Sequence, residues 1–132
     1  MPSTPVSEPQ TPDALLISRD LFFASKITGT AAALGFRVVV DGNVTEVLAK
    51  AAASSYRCLI LDLTTPDLRV SDVLAALPAA NRPTVIAFGP HVQTARLNEA
   101  REAGCDDVFP RSKFSASLPD ILTRTLRIEK MN

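Results

Sequence analysis

The segment from Arg57 to Leu63, with the sequence RCLILDL, contains an uninterrupted apolar run that ends in a single carboxylate, Asp62. A strand that is apolar on both faces is typical of the middle of a parallel sheet, where helices cover both sides. An aspartate at the carboxyl end of such a strand lies beside the crevice in which open α/β sheets bind their ligands. The segment therefore predicts an α/β fold and makes Asp62 the first candidate for a functional side chain.

Strands and helices alternate along the rest of the chain. Apolar residues at helical spacing predict the helices, and Gly35 and Gly104 are expected to end two of them. The predicted strands are 14–18, 36–40, 58–62, 83–88 and 107–109, and the predicted helices are 21–34, 44–53, 71–77, 91–103 and 118–128. This alternation predicts an α/β fold with a doubly wound, five-stranded parallel sheet of flavodoxin-like order 2-1-3-4-5.

The last predicted helix has a clear apolar stripe, which we expect to face the core. Ser117 is its predicted N-cap residue. Leu126 lies off the stripe and is not expected to contribute to the core. The stripe consists of Leu118, Ile121, Leu122, Thr125 and Ile128.

Length and composition limit the class of protein. The chain of 132 residues predicts one domain. Residues 1–12 contain four prolines and few apolar groups, so we predict a disordered tail followed by a domain at 13–132.

The formal net charge of +0 argues against nucleic acid or an anionic membrane as the main partner. We find neither an apolar run of about 20 residues nor a signal-peptide layout, and therefore expect a cytoplasmic protein.

The two cysteines, Cys58 and Cys105, each begin a predicted strand, and a third strand is expected between them. Next-but-one strands lie about 10 Å apart, whereas a disulfide needs Cα atoms within roughly 7 Å. We therefore expect both thiols to be reduced. With a single histidine and no cysteine cluster, the sequence predicts no zinc site.

Two strings resemble the receiver domain of bacterial two-component response regulators. The first is LILDL at 59–63, followed by Pro66. The second is EAREAGCDDV at 99–108, which is similar to the family passage A-x-x-A-G-A-D-D-Y from the fourth helix into the fifth strand. The resemblance extends over about residues 13–130 and implies the receiver fold and a role in signal transduction.

A working receiver carries its chemistry at a few positions. An aspartate after the third strand accepts a phosphoryl group, and an acidic pair after the first strand holds Mg²⁺. A Ser or Thr after the fourth strand senses the phosphoryl group, and a Lys followed by Pro ends the fifth strand. Phosphoryl transfer is mostly positioning and charge neutralisation, so these charges are required.

The resemblance places Asp62 at the phosphoacceptor position, but it places Ser18 and Arg19 where the acidic pair belongs. Asp20 could replace one of these acids only if the register slips by one residue. A guanidinium at the metal position would supply positive charge itself. We therefore expect Arg19 to pair with Asp62, the alternative being a solvated arginine at the start of the first helix.

The remaining positions also differ from the family pattern. Phe88, with Gly89 beside it, takes the place of the hydroxyl residue, and Phe88 cannot sense a phosphoryl group by hydrogen bonding. Arg111 takes the place of the lysine and keeps its charge, whereas Ser112 replaces the proline. These substitutions indicate a pseudo-receiver, in which the scaffold is kept and the chemistry is lost.

The resulting hypothesis is a pseudo-receiver that acts through protein–protein interaction, independently of phosphorylation and without a cofactor. Its partner would be a histidine kinase or an output protein. The alternative is a working receiver of a phosphorelay, phosphorylated on Asp62 with Mg²⁺ bound. The sequence argues against an enzyme, because it has neither a glycine-rich phosphate loop nor a Ser-His-Asp set. It also lacks the phosphate-binding run of a flavodoxin and the ligand histidine of a cobalamin-binding domain.

Two candidate interaction surfaces follow from the helices. Phe22 and Phe23 are adjacent, so only one of them can face the core, and Phe22 is expected either to be exposed for a contact or to lie under a loop. The fourth helix, fifth strand and fifth helix form the face that receivers use for dimers, so we expect a homodimer there or plain solvation of its charges. The charged residues of the fourth helix are Arg96, Glu99, Arg101 and Glu102.

Overall fold

Five parallel strands form one sheet at the centre of the fold. The computed structural model describes residues 12–53, 56–80 and 82–127. Neighbouring strands pair in parallel, in the order β2-β1-β3-β4-β5, which confirms the predicted fold. The strands are β1 (Ala14–Ile17), β2 (Val38–Asp41), β3 (Cys58–Asp62), β4 (Thr84–Gly89) and β5 (Asp107–Pro110).

Helices cover both faces of the sheet. They are α1 (Leu21–Ala33), α2 (Val44–Ala53), α3 (Val70–Ala76), α4 (Thr94–Ala103), α5 (Arg111–Ala116) and α6 (Leu118–Leu122), and a π turn at Thr123–Arg127 follows. One apolar cluster packs between the sheet and α1, α5 and α6, and a second packs between the sheet and α2, α3 and α4. No helix in the described ranges has both the length and the apolar character that a membrane span requires.

The middle strands β1 and β3 are buried along their whole length. Their side chains alternate between the two clusters, with Leu16 and Ile60 on the α1 side and Leu15 and Leu59 on the α2 side. The apolar run before Asp62 is therefore continuous because β3 has a core on each face, as the sequence predicted.

Several element boundaries differ from the predictions, mostly by one or two residues. β2 begins at Val38, two residues late, and α4 begins at Thr94. His91, the predicted first residue of that helix, lies instead in a turn in which the Gln93 N–H donates to the Pro90 carbonyl at 3.0 Å. Helix α5 was not predicted, because its short polar sequence RSKFSA is typical of a loop. Its one buried residue, Phe114, orders it by packing into the α1-side cluster.

The predicted apolar stripe of the last helix is wrong beyond Leu122. Leu126 is fully buried and belongs to the α1-side cluster, whereas Thr125 is only half-buried. The π turn explains the change, because its hydrogen bonds span five residues and each residue advances by a smaller angle than in an α-helix. Leu126 thereby replaces Thr125 below Leu122. Ser117 makes no side-chain capping bond, and Ile128 and residues 1–11 of the predicted tail lie outside the described residues.

Both cysteines are reduced and form no disulfide, as expected from the separation of their strands. Cys58 is buried in β3, and Cys105 lies half-buried just before β5. Burial raises the pKa of the Cys105 thiol to about 11, so the group is protonated at neutral pH. Both residues therefore act as small apolar side chains.

The π turn leads to a test of packing. We expect Leu126→Ala to lower the free energy of unfolding by about 2 to 5 kcal/mol, because it removes a fully buried side chain. The matched variant Thr125→Ala should change it by less than about 1 kcal/mol. Urea denaturation measures both values. A larger loss for Thr125→Ala than for Leu126→Ala would mean that the helix continues in α geometry.

Candidate functional site

Asp62 lies at the carboxyl end of β3, and only 1% of the residue is exposed. The Ser18 hydroxyl donates to its Oδ2 atom at 2.7 Å. The Thr64 hydroxyl donates to its Oδ1 atom at 2.7 Å, and the Thr64 N–H donates to the same oxygen at 3.0 Å. Both carboxylate oxygens therefore accept hydrogen bonds, which a buried carboxylate requires, and all three donors are neutral.

Ser18 follows β1 and is fixed in its orientation from two sides. Its oxygen donates to Asp62 and accepts the Asp20 N–H at 3.1 Å. A second hydroxyl, that of the buried Thr65, donates to the Ile17 carbonyl at 3.3 Å. These bonds join the end of β1 to the loop after β3, so that the carboxylate lies in a closed hydrogen-bonded corner.

The expected pairing of Arg19 with Asp62 is wrong. The Arg19 side chain is exposed, and its Nε atom donates to the Gly42 carbonyl at 3.1 Å, across the loop after β2. A Cβ atom at Gly42 would lie 2.8 Å from the Arg19 Cγ atom, so the glycine allows this close approach. Consecutive residues in extended chain point to opposite sides, and Ser18 already takes the side that faces Asp62.

Arg111 also binds a residue other than Asp62. The first residue of α5, it forms an ion pair with Asp20, and its guanidinium carbon lies 4.6 Å from the centroid of the Phe23 ring. Asp20 in turn caps α1 by accepting the Phe23 N–H at 3.0 Å. That bond and the Arg111 guanidinium hold the pKa of Asp20 below its usual range, although partial burial opposes them. Asp20 and Arg111 therefore link the start of α1 to the start of α5.

Phe88 is fully buried at the end of β4, directly beside Asp62 in the register of the sheet. Its ring stacks on Phe114 with centroids 4.7 Å apart and an interplanar angle of 6°, and the Phe23 centroid lies 5.0 Å away. Gly89 follows, and a Cβ atom there would lie 3.2 Å from the Leu63 Cβ atom. The position that carries a hydroxyl in receivers is thus part of an aromatic cluster.

The donor set does not fit the Mg²⁺ of a working receiver. The acid-pair positions hold Ser18 and Arg19, both Asp62 oxygens accept hydrogen bonds, and the Asp20 carboxylate is held by Phe23 and Arg111. Within the described ranges, no three His, Cys, Asp or Glu side chains are grouped as metal ligands. The corner can hold a carboxylate in place, but it offers no paired carboxylates for a divalent cation.

At the start of α1, Phe22 is 92% exposed and Leu21 is 77% exposed, whereas Phe23 is half-buried against Phe88. This confirms that only one of the adjacent phenylalanines faces the core. The exposure of Leu21 was not predicted. Neither was that of Val92, which is 74% exposed in the turn before α4. Thr64 was also missed, although its place two residues after an aspartate is the signature of a side-chain turn.

The charged residues of α4 do not share one face. Arg96, Glu99 and Glu102 line a cleft between α4 and the start of α3. Arg101 points elsewhere on the helix and donates to the Asn98 side chain at 2.8 Å. The expected homodimer face of α4, β5 and the following helix stays a prediction.

The pair of Asp20 and Arg111 leads to a pH prediction. Because the pKa of Asp20 is lowered in the folded state, the pair stabilises the fold at neutral pH, and this stabilisation is lost as pH falls through the folded pKa. We expect Asp20→Asn, which keeps a capping side chain, to lower the free energy of unfolding by less than about 1 kcal/mol at pH 7, because both side chains are partly exposed.

Urea denaturation between neutral pH and pH 2 measures this difference. It should begin to decrease near the ordinary aspartate pKa of about 3.9 and vanish only at a lower pH, once the native carboxylate is also protonated. Asp107→Asn is the control, since Asp107 is exposed and has no ion pair among the described residues. A difference for Asp20→Asn that is independent of pH would show that the ion pair contributes nothing.

Comparison with known proteins establishes the fold. No family model and no curated protein matches the sequence. The structure is similar to the signal receiver domain of a response regulator from Bermanella marisrubri, with 23% identity, a TM-score of 0.73, and coverage of 88% of this chain and 98% of that chain. It is similar to a CheY-like receiver domain from Methanospirillum hungatei, with 17% identity, a TM-score of 0.74, and coverage of 93% and 100%.

A third similar structure is the receiver domain of a sensor histidine kinase from Pseudomonas aeruginosa, which has a magnesium ion coordinated in its active-site cleft. It is 20% identical, with a TM-score of 0.73 and coverage of 89% of this chain and 98% of that chain. All three likenesses extend over nearly the whole described region. The fold of this chain is that of a response-regulator receiver domain.

Proposed function

We propose that this protein is a two-component-type signalling module that acts through protein–protein contacts and does not depend on phosphorylation of Asp62. The observation that carries the proposal is the closed hydrogen-bonded corner in which Ser18 and Thr64 satisfy both oxygens of the buried carboxylate. A signalling role, rather than catalysis, agrees with the receiver fold. We also propose that the protein acts in the cytoplasm, with a histidine kinase or an output protein as its partner.

Charge is the first argument. Transfer of a phosphoryl group to Asp62 would add negative charge at a site that is 1% exposed. That charge must be neutralised by cations. The two nearby guanidinium groups are held elsewhere, Arg19 by the Gly42 carbonyl and Arg111 by Asp20. Ser18 and Thr64 provide only neutral donors.

The readout is the second argument. A receiver switches when a hydroxyl after the fourth strand moves to bond the new phosphoryl group. Here Phe88 is fully buried and stacked on Phe114. A ring in a packed cluster has no hydrogen bond to offer, and moving it would open a cavity. Phosphorylation of Asp62 would therefore not be transmitted through Phe88 as a conformational change at the surface.

The alternative function is a working receiver of a phosphorelay. It is favoured by the position of Asp62 at the end of β3 in a fold shared with a magnesium-binding receiver. In that case Mg²⁺ would have to bind without the acidic pair. One experiment separates the two functions.

We expect no covalent phosphorylation of the purified protein. After incubation with a small acyl phosphate and Mg²⁺, the intact mass should be unchanged, because the site lacks the cations that stabilise the product. A working receiver domain in the same buffer shows that the donor is active, and Asp62→Asn controls for reaction elsewhere. A stoichiometric phosphoryl adduct on the native protein that Asp62→Asn abolishes would establish the alternative.

The start of α1 is the surface we propose for the partner, a histidine kinase or an output protein. Phe22 and Leu21 are 92% and 77% exposed, although they begin a helix whose other face is packed on the sheet. Exposed large apolar side chains that are adjacent are typical of a contact site. Their neighbours Asp20 and Arg111 hold the helix start in a fixed position, which would present the apolar pair without a loss of order on binding.

Site-specific crosslinking in the native host tests this surface. A photoreactive amino acid at position 22 should yield a defined adduct with one protein, identified by mass spectrometry. Position 32, which is exposed at the far end of α1, is the matched control and should yield none. With the purified partner, Phe22→Ser and Leu21→Ser should each weaken binding without changing the melting temperature. Equal adducts at both positions, or unchanged affinity, would exclude this surface.

A further inference from the structure

The edge strand β2 has backbone groups on its outer side that no described strand pairs with. It pairs only with β1 among the described strands, and Val40 on it is 38% exposed. The Arg37 carbonyl accepts the Asp13 N–H at 2.8 Å, and the Arg37 N–H donates to the Asp13 Oδ2 atom at 2.7 Å, so the backbone groups of Arg37 point toward β1. Because these groups alternate in direction along a strand, those of Val39 also point inward, and those of Val38 and Val40 point outward.

The two edge strands of the sheet differ in how well their sequences prevent pairing with a strand of another chain. The outer strand at the opposite edge, β5, ends in Pro110, which has no N–H to donate, and begins at the exposed Asp107. Proline and charge on an edge are devices that prevent pairing with another chain. β2 consists of three valines followed by Asp41, and Val40 is 38% exposed. The β2 edge therefore has high strand propensity and lacks the proline that protects β5.

The sequence around β2 is RVVVD at 37–41. When two copies of it run antiparallel, valines face valines and the arginine of each copy faces the aspartate of the other. If two copies align antiparallel about Val39, Val38 faces Val40 of the other copy, and both positions have outward backbone groups that can exchange hydrogen bonds. Arg37 then faces Asp41 of the other copy, at a position where opposing side chains approach most closely. Shifts of the register by two residues would place Arg37 or Asp41 opposite Val39 instead.

Charges already present at this edge are compatible with the pairing. Asp41 binds Lys50 of its own α2 at 2.7 Å and accepts the Asn43 N–H at 2.8 Å. Arg37 is exposed, and its guanidinium has five N–H donors, so it can bind a further carboxylate while it keeps the contacts it already makes. A carboxylate accepts several hydrogen bonds, so Asp41 can hold Lys50 and an incoming guanidinium together. We propose that two copies of this chain associate through β2, forming a two-fold symmetric dimer with one continuous antiparallel junction. This inference is independent of the proposed function.

Sedimentation equilibrium over a range of protein concentrations tests the proposal. We expect a weak dimer, because the junction is small, and its affinity should fall as salt is added. Arg37→Asp places two carboxylates opposite each other at both ends of the junction, and should raise the dissociation constant by about tenfold or more. Arg69→Asp, the same charge change at an exposed residue of the α3 start, is the matched control and should leave it unchanged.

A charge exchange between copies tests the register. The variant Asp41→Arg with Lys50→Glu keeps an opposite pair within each copy but places Arg37 opposite the introduced guanidinium of the other copy. Alone it should fail to dimerise, and mixed with Arg37→Asp it should form a heterodimer. Circular dichroism verifies that each variant is folded. If the variant Asp41→Arg with Lys50→Glu does not fold, the dissociation constants of Arg37→Asp and Arg69→Asp alone decide whether the dimer forms through β2. A native protein that stays monomeric, or a dimer insensitive to Arg37→Asp, overturns the proposal.

Discussion

The buried carboxylate of Asp62 is the constraint on which the rest of the site depends. A charge that is 1% exposed must be hydrogen-bonded, or its desolvation would destabilise the fold. Ser18 and Thr64 provide these bonds and thereby tie the end of β1 to the loop after β3. Neutral donors satisfy both carboxylate oxygens, while Arg19 binds the Gly42 carbonyl and Arg111 binds the Asp20 carboxylate.

Next to Asp62 in the sheet, Phe88 belongs to a cluster of aromatic rings. Phe88 stacks on Phe114, and Phe23 closes the cluster from α1. Arg111 lies over Phe23 and reaches Asp20, so the aromatic cluster and the ion pair together connect α1, β4 and α5. This packing supports the proposal that the module acts without a phosphorylation-dependent switch. The two surfaces proposed for contacts with other chains are the exposed start of α1 and the edge of β2.

Much of the fold could be predicted from the sequence because its signals are local or topological. The apolar run before Asp62, the helical spacing and the glycines at 35 and 104, both with positive φ, defined the elements. Right-handed crossovers then left few possible strand orders. The choice between Phe22 and Phe23 also followed from helical spacing. The short helix α5 and the π turn could not be predicted, because they depend on burial of Phe114 and Leu126 rather than on propensity.

From the sequence alone, the resemblance to receivers predicted which residues occupy the receiver positions. It also predicted that the acidic pair and the hydroxyl of the family are replaced. The tertiary structure decided where their side chains point. Arg19 and Arg111 both lay within apparent reach of Asp62 in the sequence pattern, yet the carbonyl of Gly42 and the carboxylate of Asp20 hold them. A long, charged side chain pairs with whichever partner the packed fold brings within hydrogen-bonding distance. That partner is set by contacts between distant segments, which no local pattern encodes.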